Sequence, residues 1–326
     1  MTTFKQRIAL GAISFSFALA PACGMAQASF PSKPIHLVVP FGVGGAGDQL
    51  ARALAKAIAD AHRVTVVVEN KVGAGGGIGA AYVARSRADG YTVLLGTNTT
   101  QVANRYLFKS LPYDPARDFD PVTAVSRGDQ LLLVRPGSGI GSVADLVKRA
   151  RERPGQVSYG SGSSSSQVAT SMFEREAGVK LLFVPYKSNS LAVTDLLSGQ
   201  IDMMITDTAT GLGHVRQGTL KALAVTGDAR VPEVPDVPTV REVLGNDYSA
   251  MPWFNALYVP RGTPPDIVAR LNRLFVEATS SPEADGFYRS SGSARFVTSP
   301  AELATFQAGQ DRLWKDAIEA AGIDPV

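Results

Sequence analysis

Two patterns of apolar residues alternate along this chain: short apolar runs of strand length, and longer stretches with apolar positions three and four apart. Residues 35–39 form the first run. A turn over 40–47 follows, then a helix from about residue 48 with Leu50, Leu54, Ile58 and Ala61 on one face. Residues 64–68 read as the next strand, before glycine-rich 73–79 and a helix through 82–87. A third strand at 91–95 ends at Gly96-Thr97-Asn98-Thr99-Thr100. Strands that alternate with helices imply parallel βαβ units, and so an α/β fold.

A second series starts after Pro121. It predicts strands at 131–134, 157–159, 182–184, 202–205 and 222–225. Helices between them run from the Ser142 cap to about 151, then to about 177, 197 and 217. Proline-rich 231–238 breaks the pattern. One more strand at 255–259 precedes a helix marked by Ile267, Leu271, Leu274, Phe275 and Ala278. A C-terminal helix carries Leu303, Phe306, Leu313, Trp314 and Ala317. Boundaries are expected near Ser126-Arg127 and between Met251 and Trp253.

The first 28 residues are patterned differently. Lys5 and Arg7 precede an apolar run over 8–20, and Ala26-Gln27-Ala28 supplies a small-x-small site. The run is too short to span a bilayer. The reading is a secretory signal cut after Ala28 and a protein exported to the periplasm. Lipid attachment at Cys23 is the competing reading, but Ala20-Pro21-Ala22 lacks the usual leucine. Cys23 is the only cysteine, so cleavage at Ala28 leaves no thiol for a disulfide, a nucleophile or a metal. No twin-arginine signal is present to export a prefolded, cofactor-loaded enzyme. The formal charge of +3 drops by two as Lys5 and Arg7 leave. A chain so near neutrality has no electrostatic basis for binding nucleic acid or anionic lipid, and a monomer is expected. The remaining length exceeds what one core usually organises, which predicts two lobes.

Candidate chemistry sits in two turns. Gly42-Val-Gly44-Gly-Ala-Gly47 is formally a dinucleotide fingerprint, after a strand and opening a helix, with Glu69 at the end of the next strand. The same physics suits any anion, because glycines admit close backbone approach and a helix start offers N–H groups. A tight turn alone is the third reading. Asp48 in the first helical turn places negative charge where a pyrophosphate would sit. The serine-rich turn Ser161-Gly-Ser-Ser-Ser-Ser166 has the same character, although capping explains several of its serines. No serine there lies in G-x-S-x-G. His36, His62 and His214 lack metal spacing and are read as structural. Asp202 and Asp207 flank one strand; Asp207, at its C-terminal end, is either a ligand contact or a helix cap.

With these segments in hand, the chain resembles the tripartite tricarboxylate transporter substrate-binding proteins, the Bug or TctC family. The stretches that carry the resemblance are Phe30-Pro-Ser-Lys-Pro-Ile35, Val39-Pro-Phe-Gly-Val-Gly-Gly-Ala-Gly-Asp48 and Val68-Glu-Asn-Lys-Val-Gly-Ala-Gly-Gly-Gly77. Asp89-Gly-Tyr-Thr-Val-Leu94, Leu111-Pro-Tyr-Asp-Pro115, Val184-Pro-Tyr-Lys187 and Asp195-Leu-Leu-Ser-Gly-Gln-Ile-Asp202 follow, then Leu223-Ala-Val-Thr226 and Val237-Pro-Thr239.

The resemblance implies a type II periplasmic-binding-protein fold: two α/β lobes with mostly parallel sheets, joined by two crossovers, with a ligand cleft between. Residues 29–127 with 253–326 would form lobe 1, and 128–252 lobe 2. It also implies a non-enzymatic receptor without cofactor or metal, holding a small organic acid and partnering inner-membrane transporter subunits. Mapped by motif, the ligand positions are Phe41, Gly44, Gly45, Ala46, Gly47 and Asp48, then Thr97 and Asn98. In the second lobe they are Ser161, Ser163, Ser164, Ser165, Ser166 and Asp207. The family usually has prolines where this chain has Val43 and Ala46, so the shape of that loop departs from the pattern. Phe41 would pack on the ligand's carbon skeleton, and Asp207 would favour a ligand amine or hydroxyl. Tyr159, Tyr186 and Trp253 are candidates to stack on an aromatic acid, and are equally well explained by packing. Two other readings stand beside the receptor: an exported α/β enzyme with a dinucleotide at 42–47, and a ligand sensor for a membrane signalling protein.

Overall fold

The structure is a computed structural model that describes residues 30–245, 248 and 252–325. The signal sequence, Cys23 and Met251 lie outside the described residues. Two sheets organise the chain. The first contains β1 (Ile35–Val39), β2 (Val66–Asn70), β3 (Thr92–Thr97), β4 (Phe119–Gly128), β10 (Trp253–Pro260) and β11 (Ala294–Arg295), in the order β11-β4-β10-β3-β1-β2. The second contains β5 (Gln130–Val134), β6 (Ser158–Ser161), β7 (Leu182–Pro185), β8 (Met203–Asp207) and β9 (Lys221–Val225), in the order β7-β6-β8-β5-β9.

The βαβ expectation holds inside each sheet and fails where the chain crosses. β1 pairs in parallel with β2 and β3, and β6 with β7 and β8. β10 is antiparallel to β3 and β4, and β5 antiparallel to β8 and β9. The sheets are therefore mixed instead of mostly parallel. A strand that arrives from the other lobe brings no crossover helix to turn it round.

Alternate residues of each strand face opposite helix layers. In the first lobe Ile35, Leu37, Val39, Leu257 and Val259 pack beneath α1 (Ala46–His62), α9 (Pro265–Ala278) and α10 (Pro282–Ser291). Val38, Leu94, Ala256 and Tyr258 face the opposite side, with α2 (Gly77–Ala84) and α11 (Pro300–Ala320). That second cluster continues into the other lobe through Phe173 on α5 (Ser164–Ala177) and through α4 (Val143–Glu152). The lobes thus share apolar contact away from the cleft. On the far face of the second sheet, Leu131, Leu133 and Met204 pack with α6 (Asn189–Ser198) and α7 (Thr208–Arg216).

Two elements escape the sequence pattern. β4 runs straight through Pro121, because the missing N–H falls beside a register slip between Leu257 and Tyr258. Its buried Thr123 and Ser126 break the apolar run but are satisfied: Thr123 donates to Thr298, and Asn255 donates to Ser126. α10 has few apolar residues, yet its N-terminus is legible in hindsight, with Ser281 capping, Pro282 at the first position and Glu283 and Asp285 in the first turn. After β3 the chain does not extend through 98–100. It turns into a π-helical stretch, Thr99–Ala103, continued by α3 (Asn104–Leu107).

The lobes are linked at Asp129, between β4 and β5, and by the segment from β9 through α8 (Val240–Leu244) to β10. The Asp129 carbonyl accepts from the Trp253 indole N–H at 2.8 Å and from the Thr208 amide at 3.1 Å. Both crossovers are thereby pinned together.

Candidate functional site

A cavity of about 150 Å³ lies between the lobes, at the C-terminal ends of β1, β3, β6 and β8. The starts of four helices meet at it. α1 contributes Gly45, Ala46 and Gly47, α5 contributes Ser163 and Ser165, α6 contributes Ser188, Asn189 and Ser190, and α7 contributes Asp207 and Thr210. The first N–H groups of a helix have no intrahelical partner, and the helix dipole is positive at that end. Four such ends around one cavity form an anion-seeking environment without a cationic side chain. Among the described residues, no lysine or arginine lines it.

The glycine turn owes its shape to Asp48. The carboxylate, 2 % exposed, is turned away from the cavity. It accepts from the Gly44 amide at 3.0 Å and from Arg52 through Nε at 3.0 Å and Nη2 at 2.9 Å. Burial alone would raise its pKa. The hydrogen bonds from Arg52, Gly44 and Asn70 outweigh that and hold it below the usual carboxylate range. Asn70 completes the brace by donating to the Phe41 carbonyl at 2.9 Å. Gly44 sits at φ +80°, a conformation that favours glycine.

The second lobe is braced by Asn189 instead. Its side-chain oxygen accepts from the Gly162 amide at 2.9 Å, and its Nδ2 donates to Ser163 at 3.2 Å and to Asp207 at 3.5 Å. One carboxamide therefore ties together the turns after β6, β7 and β8. Gly162 is obligatory, since a Cβ there would lie 2.0 Å from the Ser188 carbonyl carbon. Ser163, Ser188 and Asp207 each cap a helix by accepting the amide three residues on. Asp207 is thus a cap and a cavity-lining carboxylate at once.

Of the positions expected from sequence, Phe41, Gly45, Ala46, Gly47, Thr97, Asn98, Ser163, Ser165 and Asp207 line the cavity. Gly44 and Asp48 brace the first turn from behind. Ser161 donates to the Ser163 carbonyl, and Ser166, fully buried, donates to the Ile205 carbonyl. Ser164 reaches the other lobe, donating to Asn104 at 3.1 Å. These five shape the site and do not line it. Sequence reasoning missed Ser188, Asn189, Ser190, Thr210, Phe254 and Asn255 as lining residues. The signal at 188–190 was a helix cap followed by a polar first turn; the others carried none.

Phe41, Val43, Leu95, Trp253 and Phe254 supply the apolar wall. Asn98, 2 % exposed, has an Nδ2 group with no acceptor among the described residues. Tyr159 and Tyr186 do not line the cavity: Tyr159 stacks on Phe183, and Tyr186 donates to Asp195 at 2.6 Å. Glu69, the would-be ribose partner of a dinucleotide, is paired with His36 and with Lys71 at 3.3 Å. Its pKa is lowered chiefly by the hydrogen bond to His36. Together with the small cavity and the Gly44 amide already taken by Asp48, this leaves the fingerprint geometry unsuited to a pyrophosphate.

Comparisons with known proteins agree with this geometry. The model of the tripartite tricarboxylate transporter family receptor matches residues 50–323. Protein BugT of Bordetella pertussis is 34% identical over 297 residues, covering 90% of this chain and 91% of its own. The solved R. palustris Rpa4515 with adipate superposes with a TM-score of 0.87 at 32% identity, covering 91% of this chain and 100% of that one. MatC from Rhodopseudomonas palustris with bound malate gives 0.82 at 28% identity, covering 89% and 100%. On fold, cleft and sequence together, the chain belongs to the tripartite tricarboxylate transporter receptor family of solute-binding proteins.

Proposed function

We propose that this protein is a periplasmic receptor that closes its two lobes on a small carboxylate and delivers it to the membrane subunits of a tripartite tricarboxylate-type transporter. The observation that carries this reading is the convergence of four helix N-termini on one cavity without a cationic side chain. Backbone amides and hydroxyls would take the acid's oxygens, directly or through water. Asn98 would donate from the first lobe, and Phe41 and Trp253 would cover the carbon skeleton. Asp207 selects for an acid that also carries a hydroxyl or ammonium group, since an acceptor-only ligand would set lone pairs against its carboxylate. Relatives solved with adipate and with malate support the ligand class. The protein acts as a monomer, is cut after Ala28, and moves residues 128–252 as a unit against 29–127 with 253–326.

The test is a thermal-shift screen of di- and tricarboxylates, hydroxy acids and acidic amino acids, followed by calorimetry. A ligand at roughly a thousand times its Kd should stabilise the protein by about 4 kcal/mol. Hydroxy or amino acids should bind more tightly than their unsubstituted analogues. If no acid raises the Tm, the receptor reading for this ligand class fails. If binding survives when the cleft is blocked, the site assignment fails.

A further inference from the structure

A second cavity, of about 260 Å³, lies wholly within the first lobe, on the side of β10 covered by α11. It is bounded by the helical stretch 99–107, by β4 and β10, and by α11. Two buried polar residues are among those that line it. Gln101 is 1 % exposed, and neither its Oε1 nor its Nε2 has a hydrogen-bond partner among the described residues. Tyr258 is equally buried, and its hydroxyl has none either. Buried polar atoms are almost always paired, so three such atoms on two residues that line one cavity are not what packing alone produces.

The fold makes specific room for them. Gly96, near the C-terminal end of β3, lies beneath both side chains: a Cβ there would stand 2.8 Å from the Tyr258 ring and 2.9 Å from Cγ of Gln101. Burial holds the Tyr258 phenol protonated, well above the ordinary tyrosine range. The charges at the rim are already matched. Arg105 meets Asp311 at 3.2 Å, and Arg261 meets Asp120 at 2.7 Å. A ligand is therefore not called for by unbalanced charge. It is called for by one carboxamide face and one hydroxyl, beside an apolar wall that includes Phe119 and Pro121.

We infer that this cavity is a second binding site, distinct from the cleft, for a small primary carboxamide. The juxtaposition that assigns it is the Gln101 side chain, with donor and acceptor both unpaired, and the unpaired Tyr258 hydroxyl, on two residues that line one cavity. A primary amide exchanges two hydrogen bonds with the Gln101 carboxamide, donor to acceptor in both directions, as a glutamine does with a base edge. The ligand's remaining lone pair or N–H meets the Tyr258 hydroxyl, and a short apolar body lies on the wall. A carboxylate matches less well, since it can accept from Nε2 but offers nothing to Oε1.

Propionamide and benzamide are the probes, with N,N-dimethylbenzamide as the control that lacks the donor. Binding is read by ligand-observed NMR on the full-length mature protein and by soaking crystals. Both primary amides should bind, with density within hydrogen-bond distance of Gln101 and Tyr258, and the control should bind at least tenfold more weakly. Gln101→Leu should abolish binding and Tyr258→Phe should weaken it severalfold. Both variants should be at least as thermally stable as wild type, since each removes a buried polar group that has no partner among the described residues. Tyr258→Phe, which keeps the ring, carries the test if Gln101→Leu does not fold. Ordered water alone in the cavity of soaked crystals, equal affinity for the dimethyl control, or unchanged affinity in Tyr258→Phe would each overturn the inference.

Discussion

The two halves of the cleft reach the same end by different physics. In the first lobe an ion pair between buried Asp48 and half-exposed Arg52 holds the glycine turn from behind. In the second a neutral carboxamide, Asn189, holds three turns from within the cavity wall. The charged part of the first brace is local, with Gly44 and Arg52 each four residues from Asp48. The second spans residues that lie 18 to 27 apart in the chain. A charged brace must be kept off the ligand and is sensitive to pH. A neutral brace can sit beside the ligand and is not. On the proposed reading, presenting backbone amides to an anion needs no cation at the site, only a scaffold that holds the turns in place.

Four substitutions put the contrast at risk. Gly162→Ala should be the most damaging, because its methyl group would collide with backbone at Ser188 and force two turns apart. Loss of about 3 kcal/mol is expected, with carboxylate affinity reduced roughly 100-fold; calorimetry and thermal melts read both, and a silent variant would mean the turns are not packed as described.

Asp48→Asn should cost about 2 kcal/mol, since it weakens the pair with Arg52 and the hold on Gly44. Its pH dependence has a definite sign. Asp48 titrates below the ordinary carboxylate range, so its contribution is complete above that range and is lost as pH falls through the folded-state value. Melting curves of wild type and variant should converge in acid, and parallel curves down to low pH would refute the charged brace.

Asn189→Ala should lower stability by about 1–2 kcal/mol, by leaving the Gly162 amide without its acceptor. In contrast to Asp48→Asn, the deficit should not change with pH between neutrality and mild acid. A deficit that tracks acidity would erase the distinction between the braces.

The smallest effect belongs to the link between the lobes. Burial, helped by repulsion from Asp228, raises the pKa of Asp129. The folded protein thus holds this proton more tightly than the unfolded chain, and stability declines as pH climbs from the ordinary carboxylate range through the raised value. Asp129→Asn keeps the carbonyl that accepts from Trp253 and should flatten that decline, with a modest gain in Tm at pH 7. A lower Tm there would show that the carboxylate is held by interactions stronger than its desolvation.

Much of this molecule was readable from its residues because it rests on local chemistry. Strand and helix identity follow from periodicities spanning a few residues, and Ser163, Asp207 and the glycines at 42–47 announce helix starts by capping and turn preferences. Those signals placed the two anion-seeking turns and the parallel parts of both sheets. What lay beyond them depended on neighbours distant in sequence. Pro121 looked like a boundary until a register slip opposite it absorbed the missing N–H. Asp48 and Ser166 looked like ligand groups until Arg52 and the Ile205 carbonyl claimed them. Asn189 looked like any polar residue in a helical first turn until three loops converged on it. A side chain's partners are set by distances through space, and spacing along the chain does not encode them. Only the folded structure decides which polar groups brace the cleft and which face the ligand.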